Sequence, residues 1–206
     1  AFNARSFLRG TGLLLRDLEF LGLTFIGGFG MASFFVFSAS ASFVYTGQFG
    51  LTPTGFSLAF AFNALGFFSA SQAAASLGTR LGMARMVSLA VAGIALNTQA
   101  LLGLTLAGYG TFWVIGGMVF VANACVGLVI PTTMVLALEH HGDMAGLASS
   151  LGGTLQLVAG GAMIALASPF FDGTATPMVT AIALCGVGAF ILSRLNVVRT
   201  VAEPLV

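Results

Sequence analysis

The chain has 206 residues, 58% of them apolar and only 6% charged, with a net charge of +1 and a mean hydropathy of +1.04. Soluble domains carry about 25% charged residues, so this composition excludes a soluble globular protein. A net charge of +1 offers no footprint for nucleic acid.

In chain order, residues 1–19 form an opening segment over which Arg5, Arg9 and Arg16 are spread. Its apolar stretches are too short for the core of a signal peptide. The first residue is Ala and not Met, as expected of a processed, trimmed or excised chain. Residues 20–79 then run for sixty positions without Asp, Glu, Lys, Arg or His. A bilayer core of about 30 Å takes about 20 helical residues, so this run predicts two spans, 20–45 and 55–77. The Gly- and Pro-bearing segment 46–53 is the turn between them. The loop 78–85 carries Arg80, Gly82 and Arg85. A second uncharged run over 86–138 predicts spans at 86–107 and 112–138 about a tight turn at 108–111. The polar loop Glu139-His140-His141-Gly142-Asp143 follows. Uncharged runs over 144–171 and 173–193 predict spans at 145–168 and 178–195, separated by a loop with Asp172, and leave a tail at 196–206. Barrel strands would alternate polar and apolar residues over about ten positions; these runs do not, and helices satisfy their own backbone hydrogen bonds in lipid. The expected fold class is an all-α membrane protein with six transmembrane helices.

With the connections labelled alternately, Arg5, Arg9, Arg16, Arg80, Arg85, Arg194 and Arg199 all fall on one side, and the other side has no Arg or Lys. The positive-inside rule makes the arginine side cytoplasmic, with both termini there. A span missed or added would scatter the arginines.

On a helical wheel of the second span, Gly55, Ala59, Asn63, Gly66, Ala70 and Ala73 fall within about 80°, with Phe56, Phe60 and Phe67 to one side. Small residues let helices approach, so this stripe faces protein. Asn63 within it is either an interhelical hydrogen bond or a polar contact in a substrate cavity. In the fifth span Ala145, Ser149, Gly153, Gln156 and Gly160 also lie within about 80°, and the Gln156 amide must be paired or wet, since leaving it unpaired costs on the order of 2–7 kcal/mol. In the fourth span Gly116, Phe120, Asn123, Gly127, Pro131 and Met134 share a face. Pro131 removes a helix hydrogen bond and is a candidate kink or gating point. Phe37 and Tyr45 are candidate path-lining residues of the first span. Asn97 and Gln99 are two positions apart and point in different directions.

No ionisable side chain lies deep in a predicted span, so the chain lacks the groups that proton relays and ion sites normally use. The 139–143 loop matches no zinc spacing; no metal or cofactor is expected. Cys125 and Cys185 fall inside spans and read as small packing residues. No Ser–His or Cys–His set suits catalysis, so an enzyme is not expected.

Six spans with both ends on one side resemble one half of a major facilitator transporter. The stretches Ser42-Phe43-Val44-Tyr45, Phe49-Gly50-Leu51, Phe60-Ala61-Phe62-Asn63-Ala64, Pro131 before a short polar loop, and Ala145-Gly-Leu-Ala-Ser-Ser-Leu-Gly152 leading into Gln156 resemble the C-terminal half of the Bcr/CflA drug-resistance family. This chain has Ser42 where that family often has Pro. Arg80 and Gly82 fit a degenerate form of the facilitator loop motif, with Thr79 where an acid would stand. The resemblance implies two three-helix inverted repeats, alternating access in a bacterial inner membrane, and an N-terminal six-helix half, in the same or another chain, that brings the proton-coupling acid. It also implies a cavity wall for small apolar or amphipathic substrates that includes Asn63, Asn123, Gln156, Phe37 and Tyr45. An autonomous six-span protein acting as a homodimeric carrier or pore, or a non-functional transporter remnant, are the other readings of the sequence.

Overall fold

The structure, a computed structural model, describes the backbone of residues 4–202 and the side chains of residues 8–195. The side chains of Arg5, Arg199 and the 196–206 tail lie outside it. The described residues form seven α-helices: α1 Ala4–Leu14, α2 Leu18–Ser42, α3 Pro53–Leu81, α4 Met83–Leu104, α5 Phe112–Glu139, α6 Ala145–Ala167 and α7 Ala175–Ala202. Six of them, α2 to α7, are long and apolar enough to cross a membrane.

Local sequence explains where these helices begin and end. Asp17 caps α2, its Oδ1 accepting the N–H groups of Glu19 (2.8 Å) and Phe20 (3.1 Å), which are otherwise orphans at a helix start. Thr52 caps α3 by accepting the Gly55 N–H at 3.1 Å, with Pro53 in the first turn; Pro is pre-organised there and lacks only an N–H that would be unpaired anyway. Gly82, at φ 83°, separates α3 from α4, a left-handed conformation open to glycine. Beyond Ser42, α2 widens into a π-helical turn, Phe43–Gln48. The Thr46 hydroxyl donates to the Ser42 carbonyl there (2.7 Å), a side-chain bond that competes with the helix ladder.

The packing order is that of two three-helix units, α2–α4 and α5–α7. Helix α2 packs against α5, α6 and α7; helix α5 packs against α2, α3 and α4; α4 and α7 pack against each other. Exchanging the two units carries the α2–α6 contact onto α5–α3 and the α2–α7 contact onto α5–α4. Since one unit starts on the side where the other ends, the repeats are inverted. Helices α3 and α6, second in each unit, are the least buried and flank the bundle.

The described arginines Arg9, Arg16, Arg80, Arg85 and Arg194 sit where α2 and α4 begin and α3 and α7 end; this is called the arginine side, and its opposite the far side. On the arginine side α1 packs on α6, with Leu14 fully buried among Phe20, Ala137 and Ala148 while Leu8 and Leu13 stay exposed. Hydropathy runs miss this helix because arginines break up its apolar residues along the sequence. His141 joins the end of α5 to the start of α2: its Nδ1–H donates to the Ala137 carbonyl (3.0 Å), its Nε2 meets Asp17 Oδ2 (3.0 Å), and its ring packs edge-on against Phe20. His140 instead faces Glu19, at 3.8 Å. The two adjacent histidines therefore serve different carboxylates.

On the far side, the Gln48 side chain at the end of α2 accepts the Ala175 N–H that opens α7 (2.6 Å). Asp172 accepts from the Thr174 N–H (2.9 Å) and hydroxyl (2.7 Å), and these bonds hold its carboxyl below the usual carboxylate range.

The small-residue stripe of α3 faces protein as its wheel predicts, with Asn63 and Gly66 buried. In α6 the expected stripe is corrected. The buried row is Ala148, Gly152, Gln156 and Gly160, while Ser149 is exposed and Gly153 half-exposed. Contact follows the i±4 ridge, which is inclined to the axis, so a projection straight down the axis drifts off it.

Candidate functional site

Helices α3 and α5 cross at a point of very close approach. Gly127 of α5 lies against the backbone of Phe67, and Gly66 of α3 against Phe120. Pro131 has no N–H for the Gly127 carbonyl four residues earlier, yet α5 continues unbroken to Glu139. Because the helices touch at mid-length and diverge from there, they leave a cavity on each side of the crossing. The arginine-side cavity, about 380 Å³, is bounded by Ser71, Gly78 and Thr79 of α3 and by Pro131, Thr132 and Val135 of α5.

The far-side cavity, about 520 Å³, lies between the start of α3, the start of α5 and the wide turn of α2. Tyr45 is fully buried at its floor, its ring edge-on to Phe112 (5.7 Å) and Phe56 (6.3 Å). Phe37 stacks on Phe60 at 5.6 Å behind Tyr45. Phe62 stacks on Phe120 at 4.5 Å at the crossing, and Trp113 stands at the mouth, 82% exposed. The walls are thus almost wholly apolar, with two polar groups set into them.

Those two groups are Tyr45 and Asn63. Asn63 is 1% exposed, and its Nδ2 donates to the Ala59 carbonyl one turn earlier (3.0 Å). A carbonyl only accepts, so the amide orientation is determined, and Oδ1 is the end left over; it has no partner. The Tyr45 hydroxyl lies beside the Asn63 side chain. Buried polar atoms are ordinarily paired, so Tyr45 and Asn63 form one polar pair beside an apolar space.

The other candidate residues sit elsewhere. Asn123, 2% exposed with Nδ2 unpaired, lies one turn from Gly127 on α5. Gln156, 3% exposed, lies at the junction of α2, α5 and α6, where its unpaired Nε2 and the Thr133 hydroxyl occupy the space over Gly27 that a side chain would fill. Tyr45 and Asn63 thus share one cavity, Pro131 borders the second, and Phe37 backs the first. Arg80 and Arg85 are exposed on either side of Gly82.

Two amides left open by the sequence act as staples. Asn97 of α4 donates to the Met118 carbonyl of α5 (2.8 Å), and Gln99 of α4 to the Ala183 carbonyl of α7 (3.0 Å). Trp113 and Phe112, which the sequence reading passed over, line the far-side cavity. The available signal was an aromatic pair at a span's start, where such side chains gather at the membrane interface.

Comparison with known proteins finds two bacterial relatives. The chain is 31% identical over 170 residues to the uncharacterized MFS-type transporter YdgK of Bacillus subtilis, covering 81% of this chain and 41% of that protein. It is 32% identical over 184 residues to a bicyclomycin resistance protein homolog of Haemophilus influenzae, covering 88% and 44% respectively. The chain thus spans less than half the length of these relatives. No protein-family model and no solved structure matches it.

Proposed function

This chain belongs to the major facilitator superfamily, and from that premise we propose that it is the C-terminal half of a proton-coupled drug exporter. It is a multi-pass membrane protein of the transporter class and not an enzyme. In the proposed arrangement it lies in a bacterial inner membrane with the arginine side, both termini and the Arg80–Gly82–Arg85 loop in the cytoplasm. A six-helix N-terminal half completes the molecule, in the same or another chain, and the substrate path runs between the halves. Residues 20–195 are the membrane domain.

The observation that carries this reading is the far-side cavity, an apolar space with Tyr45 and Asn63 as a buried polar pair in its wall. An apolar space with a few placed polar groups is the general form of a small-molecule site. Asn123 and Gln156 add polar contacts along the same half as the two halves rock about mid-membrane. Pro131 acts as the joint at which α5 flexes, since one backbone hydrogen bond is missing there. No described span of this half carries a deep carboxylate, so the coupling acid belongs to the other half.

Export from everted vesicles by the full-length transporter tests the proposal. Asn63→Leu and Gln156→Leu are expected to change the range of compounds moved while leaving the amount of protein in the membrane unchanged. An unchanged substrate profile in both variants removes these residues from the path.

A further inference from the structure

We propose that the His141–Asp17 contact is a proton-operated latch on the arginine side, closed while the pair holds a proton between them and released as that proton leaves. The latch is independent of the far-side cavity; only its facing the cytoplasm rests on the orientation proposed above.

Both ring nitrogens of His141 meet oxygens that only accept. Nδ1 lies 3.0 Å from the Ala137 carbonyl and Nε2 lies 3.0 Å from Asp17 Oδ2. A neutral imidazole carries one N–H, so it serves one of these oxygens and turns a lone pair on the other; the imidazolium serves both. Asp17 Oδ1 meanwhile accepts the Glu19 and Phe20 N–H groups at the start of α2, a position that favours negative charge. The extra proton therefore sits on the ring, and the contact is a charge-assisted hydrogen bond. The His141 side chain is only 15% exposed, and its ring lies edge-on to Phe20 at 5.6 Å, so water is poorly placed to replace a lost donor. His140 is the contrast: it is 70% exposed, 3.8 Å from Glu19, and open to water in either charge state. Among the described residues, the other ionisable groups on the elements around His141 are Arg9 of α1, Arg16 of the α1–α2 connection, Glu19 in the first turn of α2, Glu139 at the end of α5, and His140 and Asp143 of its own loop; α6 has none. The ion pairs there are His141–Asp17 and His140–Glu19, and no second charge is paired with His141.

The contact sits where two helix pairs meet. Asp17 follows α1 and caps α2, while His141 follows α5, and its carbonyl accepts the Met144 N–H just before α6 (3.0 Å). One proton thus ties the start of the first three-helix unit to the turn between the first two helices of the second, beside the buried Leu14, Phe20, Ala137 and Ala148. Histidine is the side chain whose ordinary titration falls within about pH 5–8. The latch is closed at the acid end of that range. It opens as the pH rises through it, when the second N–H is lost and Nε2 and Oδ2 face each other as two acceptors.

Amide exchange of the full-length transporter in lipid nanodiscs, read by mass spectrometry and corrected for the pH dependence of intrinsic exchange, tests the latch. Protection of the segment 139–145 is expected to fall about five- to tenfold between about pH 5.5 and about pH 8.5, the worth of one charge-assisted hydrogen bond discounted for a partly exposed carboxylate. The segment 78–85, an arginine-side turn without histidine, is expected to stay constant. His140→Gln should keep the whole change and His141→Gln should abolish it. Equal protection of 139–145 at the two pH values would overturn the proposal, as would an equal change in 78–85 or a change that His140→Gln abolishes. The unmodified protein and His140→Gln, whose ring is exposed, carry the decision even if His141→Gln fails to fold. None of these outcomes touches the exporter reading, which transport itself tests.

Discussion

Replacing Gly127 by Ala tests the α3–α5 crossing on which both cavities depend. A Cβ at Gly127 would overlap the Phe67 carbonyl oxygen and come within 3.1 Å of the Phe67 carbonyl carbon and 3.2 Å of its Cα. All three obstructing atoms are backbone within the 29-residue helix α3, so no rotamer change relieves them and the helices must part by about 1 Å. A radial gap of that size forfeits about a quarter to a half of each dispersion well along the contact. Overpacking of this kind costs about 3 kcal/mol at the upper end of the usual range. Alanine's greater helix preference returns about 1 kcal/mol, for a net loss of about 2 kcal/mol, roughly a thirtyfold shift in the folded-to-unfolded ratio. Denaturation followed in detergent micelles, with retention of a monodisperse peak on size exclusion as a second readout, measures it. Gly103→Ala on α4 is the control, because a Cβ there meets nothing within 4 Å; it is expected to be neutral or slightly stabilising. A Gly127→Ala protein as stable as the control would refute the crossing as the point where α3 and α5 are tightest.

Other expectations follow from single contacts. A Cβ at Gly27 would collide with Gln156 Nε2 and stand 2.7 Å from Thr133 Oγ1, so Gly27→Ala is expected to lower stability by about 1–3 kcal/mol. Adding Gln156→Ala should recover much of that loss, a non-additivity read from a double-mutant cycle; strictly additive effects would show that the two side chains do not meet. Asp17→Ala removes both the α2 cap and the His141 contact and should cost about 1–2 kcal/mol, whereas Asp17→Asn keeps the capping oxygen and should cost less; equal losses would assign the effect to the histidine contact instead. For Asp172, bonds from Thr174 favour the ionised carboxylate. Its folded value is depressed, so its contribution is present above the ordinary carboxylate value and is lost as the pH falls through the depressed one. Exchange protection of the Thr174 amide is therefore expected to fall in acid, and Asp172→Asn to abolish that dependence.

Much of the architecture was legible because it follows from local chemistry. The uncharged runs located α2 to α7, and the Gly- and Pro-bearing turn 46–53 and the loop 78–85 marked boundaries that the helices keep within a few residues. The α3 wheel picked out the face that buries Asn63 and Gly66, since one stripe of small residues dominates that helix. The α6 wheel turned its face by about one residue, because α6 packs along an inclined ridge and a sequence carries no crossing angle. Helix α1 went unseen, since its burial depends on Leu14 reaching α5 and α6 residues more than a hundred positions away.

The membrane class, the number of spans and the one-sided arginines were determined by sequence alone, because transfer into a bilayer depends on the composition of each segment and barely on its neighbours. Tertiary structure decided which of the buried amides do the same task. Asn97 and Gln99 became staples, Gln156 an occupant of the space over Gly27, and Asn63 the partner of Tyr45 in a cavity. Each outcome depends on where two helices cross, and that point is set by contacts such as Gly127 with Phe67, sixty residues apart in the chain. The orientation of the Asn63 amide is likewise a property of geometry: the 3.0 Å bond to the Ala59 carbonyl fixes which end of it is the nitrogen.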